Sequence, residues 1–234
     1  MMQRIEPFKI YYQGAVLTGQ RWYCNTPKKT ILIMHGAGNS NGRGFNNLQR
    51  YLGCHNYETI VFDFLGHGDS EGHVKNSSLK KRTEQALAVI DALDLHRDLN
   101  IIGFSMGAHN AIHITAKLSV KRLCLAIPAV YSVDAEATEF GPMFTSCIRR
   151  NRSWESSRCF SIIEDFKGKL LIISAEKDSV IPAEIPCHLT ARAKSCVEAE
   201  HHCIRNADHD LSTYFELNPA SRFMALNSIL RWLE

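Results

Sequence analysis

Short runs of branched apolar residues alternate with helical patterns over most of this chain, and few folds accommodate that rhythm. Thr30 to Met34, Thr59 to Phe64, Leu99 to Phe104, Leu123 to Ile127, Leu170 to Ser174 and Cys203 to Asn206 are the runs. Such unbroken apolar stretches are expected of strands covered on both faces. Residues 44–54, 79–97, 106–118, 183–194 and 219–233 between and after them read as helices. In the second, Leu79, Ala86, Leu87, Val89, Ile90, Leu93 and Leu95 form a stripe beside a charged face. Strand and helix in alternation require right-handed crossovers, so the pattern predicts an α/β fold with a mostly parallel central sheet and helices on both faces. Phe8 to Tyr12 and Val16 to Cys24 flank Gln13-Gly14 and predict an N-terminal antiparallel hairpin at one sheet edge.

The rhythm breaks once. Residues 128–167 contain no clear strand, but mix Tyr131, Phe140, Met143, Phe144, Trp154 and Phe160 with Arg149, Arg150, Arg152 and Arg158. A loop of this length inside a compact unit carries its own structure or a function. No linker-like segment isolates it, which predicts one domain over residues 1–234 with a cap-like insertion at about 128–167.

Composition excludes several classes of function. The net charge is +3, and the charges are interspersed rather than gathered into one-sign runs, so no nucleic-acid partner is expected. No apolar run is long enough to span a membrane, and the first residues lack a signal-peptide core, which predicts a cytoplasmic protein. The eight cysteines are scattered and none has C-x-x-C spacing, so buried or indifferent thiols are expected rather than disulfides. His201-His202-Cys203 resembles a metal cluster only as a string, because neighbours on a strand point to opposite faces.

The pattern G-x-S-x-G, which often marks a nucleophilic serine, occurs three times, at Ser40, Ser70 and Ser105. A nucleophile elbow needs a strand running into a sharp turn, small flanking residues and a helix starting at once. Ser105 alone meets all three conditions, with Asn100-Ile101-Ile102 before it, Gly103 and Gly107 around it, and a helical stretch from Met106. Ser40 and Ser70 lie in Gly/Asn/Asp-rich turns. Open parallel sheets collect functional groups at the carboxyl ends of their strands. His35 follows one run, Asp178 another, and His209 the last, so Ser105, Asp178 and His209 stand in the order Ser, Asp, His expected of a catalytic triad on such a sheet.

With these residues in view, the chain resembles the α/β-hydrolases, and within them the branch of monoacylglycerol lipases, lysophospholipases and small serine esterases. The likeness runs from Ile31 nearly to the end and rests on IMHGAG, VFDFLGHGDSEG, IIGFSMGA, LLIISAEKDSVIP and NADHDLS. It implies Ser105 as nucleophile, Asp178 as acid and His209 as base, with the backbone N–H groups of Ala37 and Met106 forming the oxyanion hole. Ser70 then belongs to a structural turn after Asp63. Phe104 stands where the lipases usually carry His, Ala108 where a further Gly is common, and Leu65 where Arg is frequent. These departures weaken assignment to the lipases proper, and the short cap implies a small or open acyl site.

The expected activity is hydrolysis of carboxylic esters of small or medium acyl groups through an acyl-enzyme, with acyl thioesters, such as acyl-CoA or an acyl carrier, as the alternative. A non-catalytic receptor keeping the fold is a third, weaker reading. A peptidase is disfavoured, since the cap offers no obvious acidic cluster for a substrate amine. No metal, nucleotide or organic cofactor is required. Phe144 and Trp154 are candidates for the acyl-binding surface, although Trp154 and Phe160 could equally pin the cap to the body. The four cap arginines read as a solvated face, or else as a clamp for a phosphorylated leaving group.

Overall fold

The computed structural model describes residues 4–234. Its strands are β1 (Arg4–Tyr12), β2 (Ala15–Tyr23), β3 (Lys29–Met34), β4 (Tyr57–Phe62), β5 (Leu99–Phe104), β6 (Val120–Ala126), β7 (Lys169–Ala175) and β8 (Glu198–Ile204). They form one sheet in the order β1-β2-β4-β3-β5-β6-β7-β8. β1 and β2 pair antiparallel, as do β2 and β4, and every pairing from β4 onward is parallel. Gln13 and Gly14 both take positive φ at the hairpin turn, matching the sequence signal there.

The central strands are buried on both faces. Leu32, Ile101, Leu123 and Ile172 point into an apolar layer under α2 (Leu79–Ala92), α3 (Met106–Thr115), α6 (Cys159–Asp165) and α7 (Glu184–Arg192). Their neighbours Ile31, Ile102, Cys124 and Ile173 point the other way, into a layer under α1 (Asn46–Cys54) and α9 (Pro219–Leu233). This is why the runs are continuous rather than alternating. Each such side chain contributes about 1.5–3 kcal/mol by leaving water.

Two expectations needed correction. The apolar run predicts the last strand at Cys203 to Asn206, whereas it spans Glu198–Ile204. It lies at the sheet edge, is largely exposed and carries Glu, Ala and His, so it has no apolar run to reveal it. Asn206 instead takes φ 60 in the turn beyond. The helix α8 (Leu211–Leu217) was also not anticipated; Asp210 caps it by accepting from Thr213 N. All eight cysteines are free.

Residues 128–167 hold three short helices, α4 (Val133–Glu136), α5 (Pro142–Ile148) and α6, with a 3-10 turn at Ser153–Ser156 and no strand. Phe144 and Cys147 pack with Leu79 of α2 and Met106 of α3, seating this segment over the start of α3.

Candidate active site

Ser105 stands between β5 and α3 with φ 50 and ψ −116, a backbone that side-chain-bearing residues rarely adopt. The turn is forced by crowding. A Cβ on Gly103 would come within 2.6 Å of the Gly107 carbonyl oxygen, and one on Gly107 within 2.5 Å of the Met34 carbonyl oxygen. Strand, turn and helix therefore meet too closely for anything but glycine on either side, and Ser105 absorbs the strain between them. Its own N–H donates to the Ala126 carbonyl at 2.9 Å, fastening the turn to β6.

Sheet register brings the other two groups to the same end. Phe104 lies beside Ala126, Ala126 beside Ile173, and Ala175 beside Ile204, so the loops after β5, β7 and β8 leave the sheet at its carboxyl edge. Asp178 lies just beyond β7 and His209 beyond β8. Ser105 Oγ is 3.2 Å from His209 Nε2, and His209 Nδ1 is 2.8 Å from Asp178 Oδ2. The other carboxylate oxygen of Asp178 accepts from Val180 N at 2.9 Å and Ile181 N at 2.8 Å. Both oxygens of a nearly buried carboxylate thus have partners, which holds the imidazole with Nδ1–H toward Asp178 and Nε2 free to accept from the serine. Glu176 plays a different part. Its Oε2 accepts from Asn206 N at 2.7 Å, tying the His209 loop to the end of β7.

The two residues expected to supply N–H groups are well separated in sequence and differ in setting. Met106 is the first residue of α3, where a helix leaves its N–H without an intrahelical partner. Ala37 is exposed in the turn after β3. That turn is gripped from beneath by Arg82 of α2, whose Nη2 donates to the carbonyls of His35 at 2.6 Å and Gly36 at 3.1 Å. Arg82 is fully buried, with its guanidinium 3.8 Å from the centre of the Phe64 ring and its Nε on Asn110 Oδ1 at 3.2 Å. Burial pushes its pKa down to about 9, which leaves it charged at neutral pH. From sequence Lys80-Lys81-Arg82 reads as a solvent-facing start of the helix; Arg82 is instead fully buried, turned inward to the two carbonyls.

Ser70 is structural, donating to the Asp63 carbonyl at 2.6 Å and accepting from Thr18 N at 2.8 Å. Ser40 sits in the turn after Ala37, bonded through its N–H to the Ala37 carbonyl. Of the acyl-site candidates, Phe144 packs in one cluster with Met106, adjoining Ser105. Trp154 instead sits in the main core, edge-on to Phe160 and His188, where it joins the cap to α7. The cap arginines do not converge. Arg150 pairs with Asp134, Arg152 with Glu155 and Glu184, and Arg158 with Glu136. His201 and His202 likewise part company, one bonding Ser174 Oγ and the other Ser228 Oγ, each at 2.8 Å.

The described residues include no helix long and apolar enough to cross a membrane.

Comparison with known proteins agrees with this architecture. Solved structures similar to it in fold include an esterase of Pyrococcus furiosus, 19% identical with a TM-score of 0.71 over 99% of this chain and 94% of that one. Est1E of Butyrivibrio proteoclasticus, solved with ferulic acid, is 20% identical, with a TM-score of 0.67 over 93% and 98%. The thioesterase domain of the curacin biosynthetic pathway is 14% identical, with a TM-score of 0.69 over 97% and 99%. Among curated proteins, the 2-hydroxy-6-oxononadienedioate/2-hydroxy-6-oxononatrienedioate hydrolase of Paraburkholderia xenovorans is 34% identical over 87 residues, 36% of this chain and 30% of that protein. Its Escherichia coli counterpart is 29% identical over 98 residues, 40% and 33% respectively. The match thus spans about a third of the length of these curated relatives. The family model described as serine aminopeptidase, S33, matches residues 25–152, which include Ser105 and end before Asp178 and His209. With more than half of its length under that model, and with the eight-stranded sheet around it, the chain is a hydrolase-family protein of the S33 branch of the α/β-hydrolases.

Proposed function

We propose that the chain is a serine esterase that cleaves carboxylic esters of small or medium acyl groups. The observation that carries this reading is the relay from Ser105 Oγ to His209 Nε2 at 3.2 Å and from His209 Nδ1 to Asp178 at 2.8 Å, on a serine held at positive φ. A serine hydroxyl is a weak nucleophile until a base takes its proton. His209 accepts that proton as Ser105 attacks the acyl carbonyl, and Asp178 stabilises the imidazolium that forms. The N–H groups of Met106 and Ala37 receive the negative oxygen of the tetrahedral intermediate, each worth about 2.7–4 kcal/mol in comparable sites. His209 returns the proton to the departing alcohol, and water activated by the same imidazole releases the acid. No metal or organic cofactor enters these steps.

Esters are favoured over the neighbouring substrate classes by the state of the cap charges. An aminopeptidase needs a free carboxylate for the substrate ammonium group, whereas Asp134, Glu136 and Glu155 are each engaged by an arginine. A thioesterase acting on acyl-CoA gains from a phosphate clamp, whereas Arg150, Arg152 and Arg158 already face carboxylates. A receptor that only binds would have no use for a strained serine with a base in reach.

The test is labelling with a fluorophosphonate followed by mass-spectrometric mapping, beside turnover of p-nitrophenyl esters of graded chain length. Modification of Ser105 with turnover of the shorter esters is expected. Labelling at Ser40 or Ser70, or no labelling of folded protein, would overturn the assignment.

A further inference from the structure

Behind the elbow, α3 carries two histidines one turn apart, His109 and His113, on the face that meets the cap. Cys159, the first residue of α6, closes on them from the cap side. One ligand atom from each of the three lies within 4.8 Å of the other two. We propose that His109, His113 and Cys159 form a binding site for a zinc ion, which ties the cap to the helix that starts at Ser105.

The donor set and its geometry suit that ion. Imidazole nitrogen with thiolate sulfur is the combination zinc takes most readily among common divalent cations, whereas magnesium and calcium take oxygen. Arms of about 2.0–2.3 Å in a tetrahedron put ligand atoms roughly 3.3–3.8 Å apart. His109 Nδ1 and Cys159 Sγ are already 3.2 Å apart, and the two imidazole rings lie 4.5 Å centre to centre. A small spreading of the three groups would admit the ion.

The polar bookkeeping of the cluster points the same way. His113 Nε2 is buried without a hydrogen-bond partner, an uncommon state for a ring nitrogen. Glu136 Oε1 stands 3.5 Å from that nitrogen, too far for a good hydrogen bond, and the carboxylate is not one of the three clustered ligands. Arg158 clamps the same carboxylate through Nε at 3.1 Å and through a second, shorter contact from Nη2, fixing the direction it faces. The Tyr131 and His109 rings pack in a T-shaped arrangement, 5.3 Å between centres. His113 retains some exposure while His109 and Cys159 have almost none.

The site needs none of the proposed triad, so its test stands apart from the esterase assignment. Untagged protein, stripped with chelator and dialysed, would be titrated with zinc alone by calorimetry, with cobalt as a spectroscopic stand-in. One zinc per chain is expected, together with the thiolate-to-cobalt charge-transfer band and a rise in unfolding temperature on zinc addition. Cys159→Ala and His113→Gln should each weaken zinc binding by at least about 100-fold, more than the 10–100-fold typical of losing an outer-sphere partner. Both should abolish the charge-transfer band or the thermal gain while still unfolding cooperatively. Cys203→Ser and His202→Gln, which alter the exposed edge strand, should bind zinc as the parent does. The proposal is overturned if stripped parent protein takes up no zinc, or if the edge-strand variants lose it while Cys159→Ala keeps it.

Discussion

Arg82 Nη2 donates to the His35 carbonyl at 2.6 Å and so joins the first turn of α2 to the turn that carries Ala37. The same guanidinium reaches Gly36 and Asn110, and Asn110 in turn donates to the Leu79 carbonyl at 2.8 Å and to Thr83 Oγ1 at 3.0 Å. One buried cation thus sets the distance between the end of β3, the start of α2 and the body of α3.

Arg82→Met should therefore disturb the site without touching the proposed triad. Two backbone carbonyls would lose charged donors, each worth about 1.5–3 kcal/mol. A loss of about 3 kcal/mol in unfolding free energy is expected from denaturant titration. The rate for an ester substrate should fall through kcat more than KM, because a displaced Ala37 N–H is missed most in the transition state. Unchanged stability and an unchanged kcat would show that the turn holds its shape without Arg82.

Ser105 pays in strain for its position, and the strain is measurable. At φ 50 and ψ −116 a side chain costs of order 1–3 kcal/mol, which glycine largely avoids. Ser105→Ala should unfold at nearly the parent temperature, whereas Ser105→Gly should be more stable than Ser105→Ala by about 1 kcal/mol. Both should lose fluorophosphonate labelling. If the glycine variant were the less stable of the two, the strained backbone would not be the form present in solution.

Asp178 and Glu176 lie two residues apart after β7 but contact different partners, His209 Nδ1 for one and Asn206 N for the other. Asp178→Asn should cut kcat by about 10⁴, the scale found when this role is lost in other triads. His209→Ala should do at least as much, and combining it with Ser105→Ala should cost little more than either alone. Glu176→Gln keeps an oxygen for the Asn206 amide and should cost less than about tenfold. Equal damage from Glu176→Gln and Asp178→Asn would reassign the acid.

The sheet and the three residues of the relay were legible because both depend on local pattern. Leu32 and Ile33 face opposite covered layers, so their strand reads as an unbroken apolar run, and Ser105 sits between glycines that only a crowded elbow requires. β8 was misplaced because an edge strand with one exposed face shows no such run. Arg82, which reads as solvent-facing beside Lys80 and Lys81, and the cluster of His109, His113 and Cys159 are hidden from the sequence for another reason. Their meaning lies in contacts between segments distant in sequence, α2 with the turn after β3 and α3 with α6, and neither has a spacing that a single sequence displays. Trp154 was ambiguous on sequence alone, and its ring contacts with Phe160 and His188 place it in the cap's attachment to α7.

His35 gives the fold a sensitivity to acid. Its Nε2 accepts from Phe64 N at 3.1 Å and its Nδ1 lies 2.8 Å from the Gly36 carbonyl, an arrangement that needs the neutral ring. Burial holds its pKa well below the ordinary value, helped by the charges of Arg82 and His67 that face it; His67 is itself lowered, chiefly by burial. In the unfolded chain His35 takes up a proton as pH falls through about 6.5, while the folded chain does not. Stability is therefore fully present above about pH 6.5 and declines below it, by up to about 1.4 kcal/mol per pH unit for each such histidine. His35→Gln supplies an acceptor that does not titrate, so its unfolding free energy should fall less steeply between pH 6.5 and 5 than the parent's. Parallel slopes would assign the acid sensitivity to other groups.

The paired cap arginines give the last prediction, on ester against thioester. Arg150, Arg152 and Arg158 are each at least two-fifths exposed and each held by a carboxylate on the cap or on α7. Ion pairs made by guanidinium groups this exposed are screened by solvent and do little beyond keeping the cap solvated. A phosphate-bearing leaving group would have to displace Asp134 or Glu155 before gaining Arg150 or Arg152, and of the four cap arginines only Arg149 lacks a carboxylate partner among the described residues, so charge should add little to its capture. Added salt, which screens exposed charges beyond about 8 Å at physiological strength, should then change kcat/KM equally for an acyl-CoA and for a p-nitrophenyl ester of the same acyl chain. Arg150→Gln with Arg152→Gln should leave both rates within about twofold of the parent. A steep salt dependence for the acyl-CoA alone, lost in that double variant, would mean that the arginines leave their carboxylates to hold phosphate, and that the natural substrate is a thioester.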